Sequence, residues 1–453
     1  MKVKKTESRL SFTILGLILG SILGSTGAPA LAQDYFKLGS TLTPMGAEKA
    51  GNASGTIPSW EGGLDKPVAG FNPAKGYLDP FASEKPTVTI TAANMEQHKD
   101  KLAPGQMEMM KRYPTFKMNV YPSHRTAAYR PDVYKYAKEE AANIKLAAGG
   151  NGLQNLKKST VPFPVPTEGV QVIWNHIMRD LGGSIIRESA DFPVQTNGVY
   201  TLGKRKESIA SAAFLSDPEP NRNFYYMSVT TAPANAAGEV ILVHEPLDQV
   251  AEPRLAWQYN PGQRRVIRAP EIAYDSPGTG ADGLRTNDDF NGFNGAPDRY
   301  TWKLVGKKEM YVAYNNYKMT SKDLKYSQIL GQSHVNQDLV RYEPHRVWVV
   351  EANLKPGARH IYSKRVFYID EDSWTILHAD QYDSRGGLWR VREVYGVQFY
   401  NAPAFAQAGE VMYDLQARRY LVNALTNEEK PVEFGKKFAA ADFSTSALRR
   451  MGR

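Results

Sequence analysis

Three runs decide the fold: Ile361-Tyr362-Ser363-Lys364-Arg365-Val366-Phe367-Tyr368-Ile369, Trp374-Thr375-Ile376-Leu377-His378-Ala379-Asp380-Gln381-Tyr382 and Leu388-Trp389-Arg390-Val391-Arg392-Glu393-Val394-Tyr395-Gly396-Val397-Gln398-Phe399. Asp370-Glu371-Asp372-Ser373 and Asp383-Ser384-Arg385-Gly386-Gly387 separate them. Aromatic and β-branched side chains suit a pleated surface, and Asp, Ser and Gly supply tight turns. The stretch therefore predicts three consecutive antiparallel strands, a meander. In the third run Trp389, Val391 and Tyr395 point one way and Leu388, Arg390, Arg392 and Val394 the other, so one face is apolar and the other mixed and basic. The acids of the first turn are expected to face solvent, as turn acids usually do.

Working outward, further strands are predicted over 223–231, 238–244, 254–259, 264–269, 300–314 and 346–354. Helical signals precede them, between about 92 and 181. Pro131 opens a helix with the apolar face Val133, Ala137, Ala141, Ile144 and Ala148 and a stop at Gly149-Gly150. Thr167 is placed to cap a second, in which Val170, Ile173, Trp174, Ile177, Met178 and Leu181 recur at helical spacing before Gly182-Gly183. That stripe suits either core packing or a lid over a ligand. The fold class is α+β: a large curved antiparallel sheet, an open half-barrel, with helices packed on its concave face, where an apolar cavity belongs.

Residues 1–32 carry Lys2, Lys4, Lys5 and Arg9, an apolar run from Phe12 to Leu23, and Ala30-Leu31-Ala32, the pattern of a cleaved signal peptide. The apolar run is shorter than the roughly 20 residues that cross a bilayer. Residues 33–90 are rich in Gly, Pro, Asn and Ser yet hold Tyr35, Phe36, Trp60, Phe71, Tyr77 and Phe81, so they read as an irregular arm packed on the core. Residues 91–453 form one domain with a helical N-terminal portion. Losing residues 1–32 removes four Lys/Arg and one Glu, lowering the formal charge from +9 to +6. So mild a balance gives no footprint for nucleic acid, while a peripheral contact with an anionic membrane face stays open.

Several chemistries are excluded. The 453 residues include no Cys, which removes disulfides, thiolate metal sites, cysteine nucleophiles and a lipidated N-terminal cysteine. There is no G-x-S-x-G, H-E-x-x-H, phosphate-binding loop or dinucleotide fingerprint, and the eight His are scattered. No catalytic residue, metal ligand or cofactor is assigned. The run from Asp282 to Gly295 gathers Asp and Asn on a turn-rich loop, as a calcium site or a set of backbone-bonded Asx turns would. Within Tyr259-Asn260-Pro261-Gly262-Gln263-Arg264-Arg265-Val266-Ile267-Arg268, the proline and glycine favour a turn, and Arg264, Arg265 and Arg268 divide between two faces of a strand. They need partners: salt bridges to the nearby Asp-rich loop, or an anionic head group or protein.

Leu42-Thr43-Pro44-Met45-Gly46-Ala47-Glu48, Trp174-Asn175-His176, Pro261-Gly262-Gln263-Arg264-Arg265-Val266, Trp302-Lys303-Leu304-Val305-Gly306-Lys307-Lys308-Glu309-Met310, His345-Arg346-Val347-Trp348-Val349-Val350-Glu351-Ala352 and Tyr368-Ile369-Asp370-Glu371-Asp372-Ser373-Trp374 resemble the DUF1329 family of Gram-negative bacteria. The resemblance spans essentially all of the chain after residue 32. It implies a fold similar to the outer-membrane lipoprotein carriers LolA and LolB, with no established catalytic residues. It also implies, from gene neighbourhood, a DUF1302 outer-membrane protein and an RND-type exporter as partners. A soluble shuttle similar to LolA is the closer analogy, because the lipidated cysteine of LolB is missing.

The expected function is a periplasmic, non-enzymatic protein that binds and transfers a lipid or other hydrophobic molecule. Trp174, Trp257, Trp348 and Trp389 are the candidate lining, and Arg264, Arg265 and Arg268 the candidate head-group or partner contacts. Each also suits a plain core or surface position. Two other functions stay open: an adaptor linking an exporter to an outer-membrane protein, and a hydrolase or lyase using carboxylates in the same cavity.

Overall fold

Turn chemistry reverses the chain where the sequence places it. Asp383 Oδ1 accepts the backbone N–H groups of Arg385 and Gly387, both at 2.9 Å, and Gly386 takes φ +80°, a conformation glycine adopts freely. In the computed structural model, which describes residues 34–269 and 274–452, the three aromatic runs are consecutive antiparallel strands. The segment read as a signal peptide lies outside the described residues.

These strands belong to a sheet of fifteen. β1 (Val88–Ile90) and β2 (Met118–Val120) pair with each other, while β3 (Lys145–Leu146) and β4 (Leu153–Gln154) make a separate ribbon. β5 (Ile185–Val194), β6 (Gly203–Ser211), β7 (Arg222–Ala232), β8 (Val240–Pro246), β9 (Leu255–Asn260) and β10 (Arg265–Arg268) form one meander. β11 (Tyr300–Ala313), β12 (Tyr342–Leu354), β13 (Lys364–Asp370), β14 (Ile376–Tyr382), β15 (Leu388–Phe399), β16 (Ala404–Asp414) and β17 (Arg419–Leu425) form a second. An antiparallel pair of β17 with β5 joins the two, and β2 meets β12 at a parallel contact between Val120 and Tyr342.

β10 and β11 end the two meanders without pairing with each other, so the α+β, antiparallel architecture holds but the sheet is open and not strongly curled. The expected half-barrel with helices on one concave face is corrected, and the reason is that both faces are covered. Asp380 and Gln381 point to opposite sides of β14. Asp380 Oδ1 accepts the N–H of Gly105 at 3.1 Å, and a Cβ on Gly105 would stand 2.9 Å from Val391. The helix Pro104–Arg112 thus lies on the Asp380 and Val391 face. Gln381 Nε2 donates to Asp289 Oδ1 at 2.6 Å, which puts the Asp-rich loop on the other face. The helix Gly169–Met178 is tied to that loop, since His176 Nε2 lies 2.9 Å from the carbonyl oxygen of Asn291.

The helix opened by Pro131 ends at Glu140, well before Gly149-Gly150. The buried Glu140 carboxylate accepts the N–H groups of Lys157, Lys158 and Ser159, turning the chain there. Along the arm, Trp60 Nε1 donates to the Ala127 carbonyl at 3.0 Å, the Tyr77 hydroxyl to Asn401 at 2.6 Å, and Phe81 stacks on His124 at 4.0 Å, while Phe36 is exposed.

The turn acids Asp370, Glu371 and Asp372 are buried, not solvent-facing. Arg346 Nε donates to Glu371 at 2.6 Å, Lys307 Nζ to Glu371 at 2.7 Å, and Arg125 to both oxygens of Asp372. Cations from distant segments converge on a turn that, read locally, belongs in water.

Candidate functional site

The face of β5 to β9 that carries Arg187, Glu207, Tyr226 and Val243 is not filled by side chains from the opposite layer. Between it and the loop 278–294 lie two cavities of about 100 and 320 Å³. Phe224, Tyr226, Phe290 and Asn294 border both, so the two are neighbours across one aromatic partition. The first is walled mainly by apolar groups: Ile177, Met178 and Leu181 from the end of the helix, Ile185 and Ile209 from the sheet, and Phe293, Phe399 and Phe434. The second adds Ile241 and Val243 to a more polar wall with Arg205, Arg254 and Arg285.

Strand alternation explains the emptiness. Tyr225, Met227 and Leu242 point to the opposite face, where the C-terminal helix Thr445–Met451 buries them in a cluster of their own. Phe224, Tyr226, Ile241 and Val243 are left to face the cavities. The stripe of the helix Gly169–Met178 serves both roles expected of it: Val172, Ile173 and Trp174 pack in the core, and Ile177 and Met178 line the first cavity.

A third, more open recess of about 700 Å³ shares Gly183 and Phe434 with the first cavity and lies beside it like a vestibule. It presents Arg130, Lys158, Lys436 and Lys437 beside Phe214 and Phe438. Arg130 pairs with the buried Asp180 at 2.9 Å, Lys158 donates to the Ala213 carbonyl, Lys436 pairs with Glu433, and Lys437 is exposed.

Buried charge beneath the cavities is arranged in ladders. Arg187 Nε donates to Glu207 at 2.8 Å, and Arg205 reaches both Glu207 and Asp191. Burial alone would raise the Glu207 carboxyl, but Arg187 and Arg205 beside it hold it well below the usual range. Arg254 pairs with Glu245 at 2.6 Å, and Arg392 with Glu410 at 3.0 Å. Two of the buried guanidiniums have no carboxylate partner among the described residues. Arg179 follows the helix end, donating to the His176 carbonyl at 2.5 Å and to Asn291 Oδ1 at 2.8 Å; burial lowers its pKa to about 10. Arg285 makes one hydrogen bond, from Nη1 to the Thr286 carbonyl at 3.2 Å, and burial, with Arg205 nearby, lowers its pKa as well.

The residues expected to line a cavity border neither of these. Trp174 is buried with Nε1 donating to the Gly150 carbonyl at 2.8 Å. Trp257 lies on the other face of the sheet, edge-on to His244 in the cluster under the C-terminal helix. Trp348 stacks on Trp374 at 6.2 Å beneath Lys307, and Trp389 Nε1 donates to Asp414 at 3.0 Å. Arg264, Arg265 and Arg268 are exposed at the edge strand β10, with no ion pair among the described residues. The expected salt bridges to the Asp-rich loop are corrected: that loop is held by Arg365, 2.6 Å from Asp288, and by Arg392, which donates to the Asp289 carbonyl.

The calcium reading of the loop also meets these contacts. Asp288 accepts from Arg365 and the Thr286 hydroxyl, and Asp289 from Gln381, the Thr286 N–H and the Tyr362 hydroxyl, so the carboxylates are engaged by protein donors. His345, Asp370 and Asp372 bring three potential metal-binding atoms within 4.8 Å of one another, but both oxygens of Asp372 are taken by Arg125 and His345 Nε2 by Glu343. Sequence reasoning passed over Arg285, Phe290 and Phe293 inside the very stretch it read as Asx turns. Two phenylalanines in a loop rich in Asp, Asn and Gly are the signal that it covers something apolar.

The family described as "Protein of unknown function (DUF1329)" matches residues 89–449. An uncharacterized protein of Pseudomonas aeruginosa is 50% identical over 459 residues, covering 100% of both chains. Among solved structures, a domain assigned to outer-membrane lipoprotein sorting from Vibrio parahaemolyticus aligns with a TM-score of 0.44 at 14% identity, over 62% of this chain and 98% of its own. A LolA superfamily protein from Nitrosomonas europaea aligns with a TM-score of 0.39 at 12% identity, over 62% of this chain and 100% of its own.

Proposed function

The chain belongs to the DUF1329 family, and from the two adjoining cavities on its sheet we propose that it is a periplasmic protein that holds a lipid or other hydrophobic molecule and passes it between envelope components. The observation that carries this is the pair of adjoining cavities, about 100 and 320 Å³, that share Phe224, Tyr226 and Phe290 as walls and have a basic recess beside them at Gly183 and Phe434. Each methylene buried there contributes about 0.8 kcal/mol, so an acyl chain of moderate length gains enough to be held. No bond is made or broken in this reading. An adaptor would have no use for two adjoining unfilled cavities walled by aromatic and aliphatic side chains, since interiors otherwise pack to crystal-like density.

The holding surface is one face of an open sheet roofed by a loop, and the recess beside it carries Arg130, Lys158, Lys436 and Lys437. No helix among the described residues is long and apolar enough to cross a membrane, which suits a shuttle. The family resemblance extends the proposal to an export pathway with an RND-type exporter and a DUF1302 outer-membrane protein as partners. The test is uptake. Detergent-free protein stripped of ligand is incubated with an envelope-lipid extract, re-isolated by gel filtration and extracted with solvent. Co-eluting lipid supports the carrier, and lipid-free protein overturns it.

A further inference from the structure

We propose that the molecule held is an anionic amphiphile whose carboxylate or phosphate head pairs with Arg285 in the second cavity, its apolar part crossing the Phe290 partition into the first; this rests on the carrier reading above. Among the guanidiniums that line the cavities, Arg187, Arg205 and Arg254 are matched by Glu207, Asp191 and Glu245. Arg179 lacks an acid but caps a helix C-terminus, where the carbonyl it binds and the helix dipole offset its charge. Arg285 has neither an ion pair nor a helix end among the described residues.

Arg285 is 7% exposed, its Nε has no hydrogen-bond partner, and its Nη2 makes none among the described residues. Those two nitrogens form the edge of the fork that grips a carboxylate or phosphate through two parallel hydrogen bonds. The seat is built for the guanidinium. A Cβ on Gly278 would stand 2.7 Å from Cζ of Arg285, so only glycine lets the backbone lie over it, and the Phe290 ring lies 5.9 Å away. Arg205 and Arg392 add to the positive potential, which Glu410 and Asp289, each engaged by other donors, offset in part through space. A buried, half-unsatisfied cation is destabilising unless something anionic completes it. The other acids at this cavity do not: Asp191 and Glu245 serve Arg205 and Arg254, and Glu239 forms no ion pair with Arg285. The vestibule cations are exposed or engaged, so they attract an anion without fixing it.

The experiment is calorimetric titration of the ligand-free full-length mature protein with decanoate, decyl phosphate, decanol and inorganic phosphate, repeated with Arg285→Met. Decanoate or decyl phosphate is expected to bind about tenfold or more tighter than decanol, because a charge-assisted pair adds at least that factor. Inorganic phosphate is expected to bind far more weakly. Arg285→Met is expected to lose the discrimination, keep the decanol affinity and melt no lower than the wild type, since it removes an unpaired buried charge. Equal wild-type affinity for decanoate and decanol overturns the anion pairing and leaves the carrier intact. Inorganic phosphate binding as tightly as decyl phosphate overturns the amphiphile. Failure of all four probes overturns the carrier reading and this inference with it.

Discussion

Arg125 and Asp372 stand 247 residues apart in the chain and meet in a buried two-point pair, Nε donating to Oδ2 at 2.8 Å and Nη2 to Oδ1 at 2.7 Å. The same guanidinium donates to the carbonyls of Glu48, Lys49 and Pro58, so it fastens the N-terminal arm to the hairpin between β13 and β14. Arg125→Ala leaves the buried Asp372 without its cation, and is expected to lower stability by about 3–5 kcal/mol in denaturant unfolding. Residues 34–86 should then become the first site of limited proteolysis. An unchanged midpoint would mean the pair is not holding the arm.

Asp370 sets a pH dependence. Burial first, and Asp372 beside it second, push its carboxyl up to about 7, while Oδ2 accepts from Ser373. The folded state therefore binds a proton that the unfolded chain releases near the ordinary value of 3.8. Its contribution is fully present below about pH 4 and is lost as pH rises through about 7. Asp370→Asn, which stays neutral, should match the wild type near pH 4 and become progressively the more stable of the two toward pH 8. Parallel melting curves for the two proteins across that range would contradict this.

Ile209 lines the first cavity from β6, opposite Tyr226 of β7. Ile209→Trp should place an indole in the empty space and reduce lipid uptake about tenfold, with a melting temperature shifted by no more than about 2 °C because no packed neighbour is displaced. Gel-filtration uptake and calorimetry on the same sample check both halves.

Arg265 and Arg268 lie exposed on the edge strand β10, away from the cavities. Replacing both with Ala should change stability by no more than about 0.5 kcal/mol and leave lipid uptake as in the wild type. Their unpaired charge predicts instead weaker cosedimentation with vesicles of anionic lipid, an effect that vanishes at high salt. Loss of uptake in this variant would put the head-group contact back at β10.

The fold was legible where local chemistry and tertiary environment agree. Val391 and Tyr395 against Arg390 and Arg392 gave both faces of β15, and Asp383 with Gly386 gave its turn. β5 was not delimited from the sequence because Arg187, Glu188 and Asp191 interrupt the apolar pattern, and its alternation becomes sensible only once Glu207 and Arg205 of β6 stand opposite. The same limit hid the site. Tryptophans are the natural guess for an apolar lining, yet Trp174, Trp257, Trp348 and Trp389 fill core and half-buried positions away from the cavities, while the lining phenylalanines come from four separate segments. Which arginine lacks a partner is a property of the assembled ladders, and no spacing along the chain reveals that Arg187 is matched and Arg285 is not.

The most direct test of a carried ligand is mass. The protein is expressed with residues 1–32, isolated from the periplasm without detergent, and measured by native and denaturing mass spectrometry side by side. A discrete excess mass that disappears on denaturation, and that solvent extraction identifies as an amphiphile, is the predicted result. A native mass equal to the bare chain, unchanged after exposure to envelope lipid, would contradict the account.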